Sequence, residues 1–81
     1  MISDIVTEIL SELTGLETGE IGEIMDVDLF SSGVLDSLSF VSFISMFESK
    51  TGKKIVIRDL KPEEVSTIRR VIATLEQKVG Q

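Results

Sequence analysis

Residues 30–40 read FSSGVLDSLSF and hold four serines, at positions 31, 32, 37 and 39. Only Ser37, between Asp36 and Leu38, stands where turn residues give way to an apolar run. A serine does covalent chemistry in one of two ways. It attacks as an activated nucleophile, which needs a base within hydrogen-bond reach, or it accepts a group from another enzyme, which needs only exposure. The chain has no His and no Cys, and it offers no general base beside Ser37, so Ser37 is a poor candidate for the first route. The same absences exclude zinc sites, thiol nucleophiles and disulfides. A purely structural role remains: serine and aspartate both cap helix starts, and a bare D-S-L triplet does not separate the two uses. The neighbouring DVDLFSSG (26–33) faintly suggests a calcium loop, but Phe30, Ser31 and Ser37 occupy the positions that need a ligand, a glycine and a glutamate.

The elements that must position Ser37 follow from composition and periodicity. Eighty-one residues, 42% hydrophobic with mean hydropathy +0.28, make one small domain, 1–81, able to bury a modest core. The amino terminus has no signal-peptide pattern and no stretch reaches membrane-spanning length, so a cytoplasmic protein without membrane insertion is expected. Net charge is −6, and it is segregated. Residues 1–36 carry nine acids and no base, whereas residues 37–81 carry five acids and eight bases. Nucleic acid is not an expected partner, because the net charge repels phosphate.

Ile2, Ile5, Val6, Ile9, Leu10 and Leu13 form the stripe of an amphipathic helix, which Thr14-Gly15 ends, with Gly15 suited to a left-handed cap. Gly15 to Asp36 reads as a long loop with one helical turn around Glu20 to Met25, plugged into the core by Ile21, Ile24, Leu29, Phe30, Val34 and Leu35. The spacing predicts a second helix over 38–49, ended by Thr51-Gly52. Phe40, Phe43, Ile44 and Phe47 face its core side, and Ser39, Ser42, Ser45 and Ser49 share the other side with Leu38. Four serines are poor helix formers. They make either a solvated face or a smooth, nearly uncharged strip where another protein lies close. Ile55, Val56 and Ile57 read as an extended connector, since no second strand exists to pair with them. Pro62 with Glu63 and Glu64 reads as the first turn of a short helix. Ser66 or Thr67 caps a last helix whose stripe is Ile68, Val71, Ile72, Leu75 and Val79. The expected architecture is all-α: a four-helix bundle of three long helices and one short, with a long loop between the first and second helices.

With these elements in order, the chain resembles the acyl carrier protein family, including the peptidyl and D-alanyl carrier proteins. The resemblance covers nearly the whole chain: helix, long loop, a phenylalanine followed by SSGVLDSL, helix, short helix, helix. It implies 4′-phosphopantetheine, covalently attached to Ser37 from coenzyme A by a phosphopantetheinyl transferase, with Asp36 and Leu38 as flanking recognition residues. It further implies that cargo is held as a thioester on that arm and presented to cargo-loading and cargo-processing enzymes, that the chain itself is not an enzyme, and that it acts as a monomer. A phosphodiester on Ser37 would lie at a helix amino terminus, where free N–H groups favour an anion. Asp36 could cap the same end and leave the Ser37 hydroxyl free.

Carriers of fatty acid biosynthesis typically show an acidic second helix, but this one has only Glu48 beyond Asp36. Partners are therefore expected to meet Leu38, Ser42 and Ser45 by close packing, with long-range steering from the acidic first helix and loop. FSSGVLDSL is nearer in character to the D-alanyl and stand-alone peptidyl carriers than to the fatty-acid type. A specialised fatty-acid, polyketide, peptide or D-alanyl pathway is the expectation. If Phe40, Phe43 and Phe47 fill the interior, little room remains there for a long acyl chain, so short or polar cargo should leave the core unchanged. A helical adaptor that binds a protein without any prosthetic group is the alternative, and it would not require a hydroxyl at position 37.

Overall fold

Val6, Ile9 and Leu10 lie fully buried on one face of α1 (Ile2–Thr14), the outcome of their i, i+3, i+4 spacing. The computed structural model describes residues 1–80; Gln81, the last residue of the expected domain, lies outside the described residues. Gly15 closes α1 at φ 79°, in the left-handed region, and donates its N–H to Ser11 O. Three further α-helices follow: α2 (Thr18–Glu23), α3 (Ser37–Thr51) and α4 (Ile68–Val79). Two 3-10 turns, Ile57–Asp59 and Pro62–Val65, join α3 to α4. No strand forms among the described residues. α1 packs against each of the other three helices.

The four-helix, all-α architecture matches the expectation, but the short helix stands elsewhere. The single turn expected near Glu20 is a six-residue helix. Gly19 and Gly22 hide it in the sequence. Glu20 Oε1 accepts the Glu17 N–H at 3.0 Å and the fully buried Ile21 anchors the segment, which outweighs their poor propensity. The Pro62 segment is a 3-10 turn instead of an α-helix. Only Glu63, Glu64, Val65 and Ser66 follow the proline before Thr67 begins a new cap, accepting the Arg70 N–H at 3.2 Å. That turn is tied to α4 by the buried Thr74, whose hydroxyl donates to Glu64 O at 2.9 Å.

Phe43 and Phe47 are buried at the centre with Leu10, Ile21, Leu29, Ile68 and Leu75, and Phe40 is nearly so. The stretch before α3 is held from inside by Leu29 and Leu35, the Leu35 N–H donating to Leu29 O at 3.0 Å. It is also fastened to the start of α4. Leu29 N–H donates to Ser66 O at 2.7 Å, Arg69 N–H donates to Met25 O at 3.1 Å, and the Arg69 guanidinium reaches both carboxylate oxygens of Asp26, at 2.8 and 3.3 Å. A free N–H of the first turn of α4 thus finds its acceptor in the long connection.

Phe30, expected as a plug, is 39% exposed. The Asp28 carboxylate accepts the N–H groups of Phe30 (3.0 Å) and Ser31 (2.9 Å), forming a turn, and Leu29 takes the interior position instead. The Phe30 ring meets Phe40 edge-on at 5.8 Å.

Candidate functional site

Gly33, at φ 83°, reverses the chain just before the D-S-L triplet. Asp36 then takes the helix-cap position in extended conformation, and its Oδ1 accepts the Ser39 N–H at 2.8 Å. Ser37 is the first residue inside α3, exposed, and no hydrogen bond among the described residues engages its hydroxyl. The division of labour is clear: the carboxylate satisfies the helix end, and the neighbouring hydroxyl stays available. An anion bound at this oxygen would face the positive end of a fifteen-residue helix.

The hydrogen bond from Ser39 N–H is the main reason the Asp36 carboxyl sits below its ordinary value of 3.8. A group whose folded value is lowered contributes stability above its unfolded value and loses it as pH falls through the folded one. Asp36→Asn keeps an oxygen acceptor for the cap while removing the charge. The expected result is a lower Tm for the variant at neutral pH, and a gap to wild type that narrows once pH falls below 3.8. Thermal melts of both proteins over an acid series check this, and a gap constant with pH contradicts it.

Of the residues expected to meet partners, Leu38 is 81% exposed, and Ser42 and Ser45 are exposed on the same helix. Ser49 is also exposed, whereas Ser39 is partly covered. The sequence reading missed Val41, 49% exposed and one turn beyond Leu38. Its i+3 spacing from Leu38 was the available signal. Beside Ser37 lies an open apolar groove of about 390 Å³, also unforeseen. Ser37, Phe40 and Val41 line it from α3, Phe30 from the turn before that helix, and Ile57, Leu60, Pro62 and Val65 from the connector. Half of its lining comes from an irregular segment, so no periodicity announces it. The three α3 phenylalanines do fill the interior as expected, and the open space sits at the surface, next to the serine.

The charges of α3 are used inside the domain. Glu48 Oε2 accepts the Ile55 N–H at 2.7 Å, fixing the start of the connector. Lys50 Nζ lies 2.8 Å from Glu8 and 3.7 Å from Glu12 of α1. We expect Glu48→Ala to cost roughly 1 kcal/mol, read as faster amide exchange at Ile55, and Glu48→Gln, which retains an acceptor oxygen, to exchange more slowly than the Ala variant. Equal exchange in both variants would contradict this role. Among the described residues no group of His, Cys, Asp and Glu is placed to hold a metal ion, and no helix is long and apolar enough to cross a membrane.

Residues 4–75 match the family model described as "Phosphopantetheine attachment site". The chain is 34% identical over 79 residues to a D-alanyl carrier protein of Leuconostoc citreum, covering 98% of this chain and 97% of that one. It is 32% identical over 74 residues to a D-alanyl carrier protein of Staphylococcus saprophyticus (91% and 92%), and 34% identical over 58 residues to one of Streptococcus pyogenes (72% and 73%). An exposed, unengaged hydroxyl at a capped helix start fits the covalent group named in that description, whose chemical contribution is a terminal thiol able to hold cargo as a thioester. The geometry and the similarity converge: the chain belongs to the phosphopantetheine attachment family, as a non-catalytic acyl carrier protein that bears 4′-phosphopantetheine and works with partner enzymes.

Proposed function

We propose that Ser37 is the residue that carries the 4′-phosphopantetheine arm, and that the chain uses it to present a small aminoacyl or short acyl group in a specialised pathway, of which a D-alanyl pathway is the best supported. One observation carries the first part: Asp36 caps α3 through Ser39, so the Ser37 hydroxyl is exposed and unengaged. A transferase brings the base that the chain lacks. The Ser37 oxygen would bond to the coenzyme A phosphorus that bears the pantetheine, the bond from that phosphorus to the bridging oxygen would break to release adenosine 3′,5′-bisphosphate, and the hydroxyl proton would pass to the transferase. Asp36 and Leu38 are the flanking recognition residues. Ser42 and Ser45, with Val41 between them, offer the cargo enzymes a surface that packs closely.

The second part is supported by similarity to proteins named D-alanyl carrier proteins over almost the full chain. A small polar cargo has no charged partner in the apolar lining beside Ser37 and would stay at the end of the arm, in solvent. The experiment loads the holo protein with D-alanine or with a long-chain fatty acid, each with ATP and an activating enzyme for that acid, and weighs the thioester. Loading by D-alanine supports the proposal. Loading by the fatty acid alone, with large shifts of core methyl signals, overturns it.

A further inference from the structure

Ile57 and Leu60 of the 53–61 connector line the same groove as Ser37, so the connector and the first turns of α3 border one open surface. The two contributions differ in charge. α3 offers a docked partner little charge: Lys50 is paired with Glu8 and Glu12, Glu48 accepts the Ile55 N–H, and Asp36 at its start is the one exposed carboxylate near Ser37. The connector differs. Lys53, Lys54, Arg58 and Lys61 are all exposed, and none forms a salt bridge among the described residues. Asp59 is the one acid in that segment. Val56 and Ile57, 49% and 37% exposed, lie between the bases.

Four bases in nine residues repel one another and form no salt bridge among the described residues, and on a chain of net charge −6 solubility does not require them. Arg58 and Lys61 are chain neighbours of the groove residues Ile57 and Leu60, and Lys53 and Lys54 precede them on the same connector, a placement that a partner can use. We infer that the 53–61 rim docks the acidic surface of a partner enzyme, one whose arm-accepting entrance carries carboxylates beside an apolar ledge. The inference rests on the carrier role of Ser37. It adds a second charged surface to the steering expected from the acidic first helix and loop, of whose acids Glu8 and Glu12 face Lys50.

An anionic bilayer is disfavoured by the same charges. The nine acids of residues 1–36 oppose approach to an extended negative plane. The rim also supplies only two exposed apolar side chains on irregular backbone, not an amphipathic helix. A protein partner can place a few carboxylates against the rim and leave the acidic half of the domain untouched.

The test is amide NMR of the isotope-labelled apo protein. It is titrated in turn with a short peptide alternating Glu and Leu, a peptide alternating Lys and Leu, vesicles of phosphatidylcholine, and vesicles of phosphatidylcholine with phosphatidylglycerol. The Glu-Leu peptide is expected to shift the amides of residues 37–41 and 53–61. Raising the salt, or the double substitution Lys54→Glu with Arg58→Glu, should weaken that response on the order of tenfold. Both positions are exposed, and the variant's own spectrum reports that it is folded. Equal or stronger shifts of the same amides by the Lys-Leu peptide overturn the inference, as does no response to the Glu-Leu peptide. A response confined to the anionic vesicles replaces the acidic protein with a membrane surface. The titration needs no prosthetic group, so its failure leaves the Ser37 assignment to stand or fall on its own mass measurement.

Discussion

Ser37→Ala is expected to abolish attachment outright. Incubated with coenzyme A, magnesium and a broad-specificity phosphopantetheinyl transferase, the wild-type protein should gain one phosphopantetheinyl group by intact mass, and the variant none. The reason is chemical. The phosphodiester needs an oxygen, and the other serines of the segment cannot substitute. Ser31 and Ser32 lie in the turn before Gly33, and Ser39 is partly covered while its own N–H is held by Asp36. Loss of folding does not confuse the result. Asp36 makes the cap, and alanine is a good residue inside a helix, so the variant should melt close to wild type. Modification of the variant would move the site. An unmodified but folded wild type would remove the assignment of Ser37 altogether.

The second large effect belongs to the core. Phe47 is fully buried among the side chains that join α3 to the rest of the bundle. Truncating it to alanine removes a large apolar contact and leaves a cavity, at a cost of about 3–5 kcal/mol. A domain of this size has total stability of roughly 5–15 kcal/mol, so most of the margin goes. We expect chemical denaturation to show a much lower midpoint, with unfolded protein detectable at mild temperatures. Phe30→Ala is the contrasting case. Its ring is partly exposed and meets only the rim of the core, so a small change is expected. Equal effects from the two variants would mean that the interior is not organised around α3.

Much of this was legible in the residues because helices write their partners into a period. The stripes of α1, α3 and α4 identified the buried faces, and Gly15, with Gly52 after α3, marked where helices stop. The proposed site was legible only through the family resemblance of SSGVLDSL, because an Asp and a Ser at the edge of an apolar run serve equally well as a helix cap. The failures fall where no period operates. α2 was obscured because its glycines argued for loop, and a single buried Ile21 with one backbone-to-carboxylate bond decided otherwise. Phe30 was misplaced because an aromatic in a loop reads as core, and only the Asp28 turn decides which of Leu29 and Phe30 points inward. The groove depends on where the connector lands, which is set by Glu48 and Ile55 seven residues apart. The adaptor alternative, open on residues alone, gives way to the family match.

If Ser37 is the anchor proposed above, the arm is rooted in the first turn of a helix whose Phe40, Phe43, Ile44 and Phe47 are all packed into the interior. A tether hung from a mobile loop would lose part of its reach to the wandering of its own base. Here the base is stationary, so the volume swept by the cargo depends on the arm alone. Once a partner is docked, the effective concentration of cargo at its active site follows from one length and one fixed origin, in the millimolar range typical of short flexible tethers.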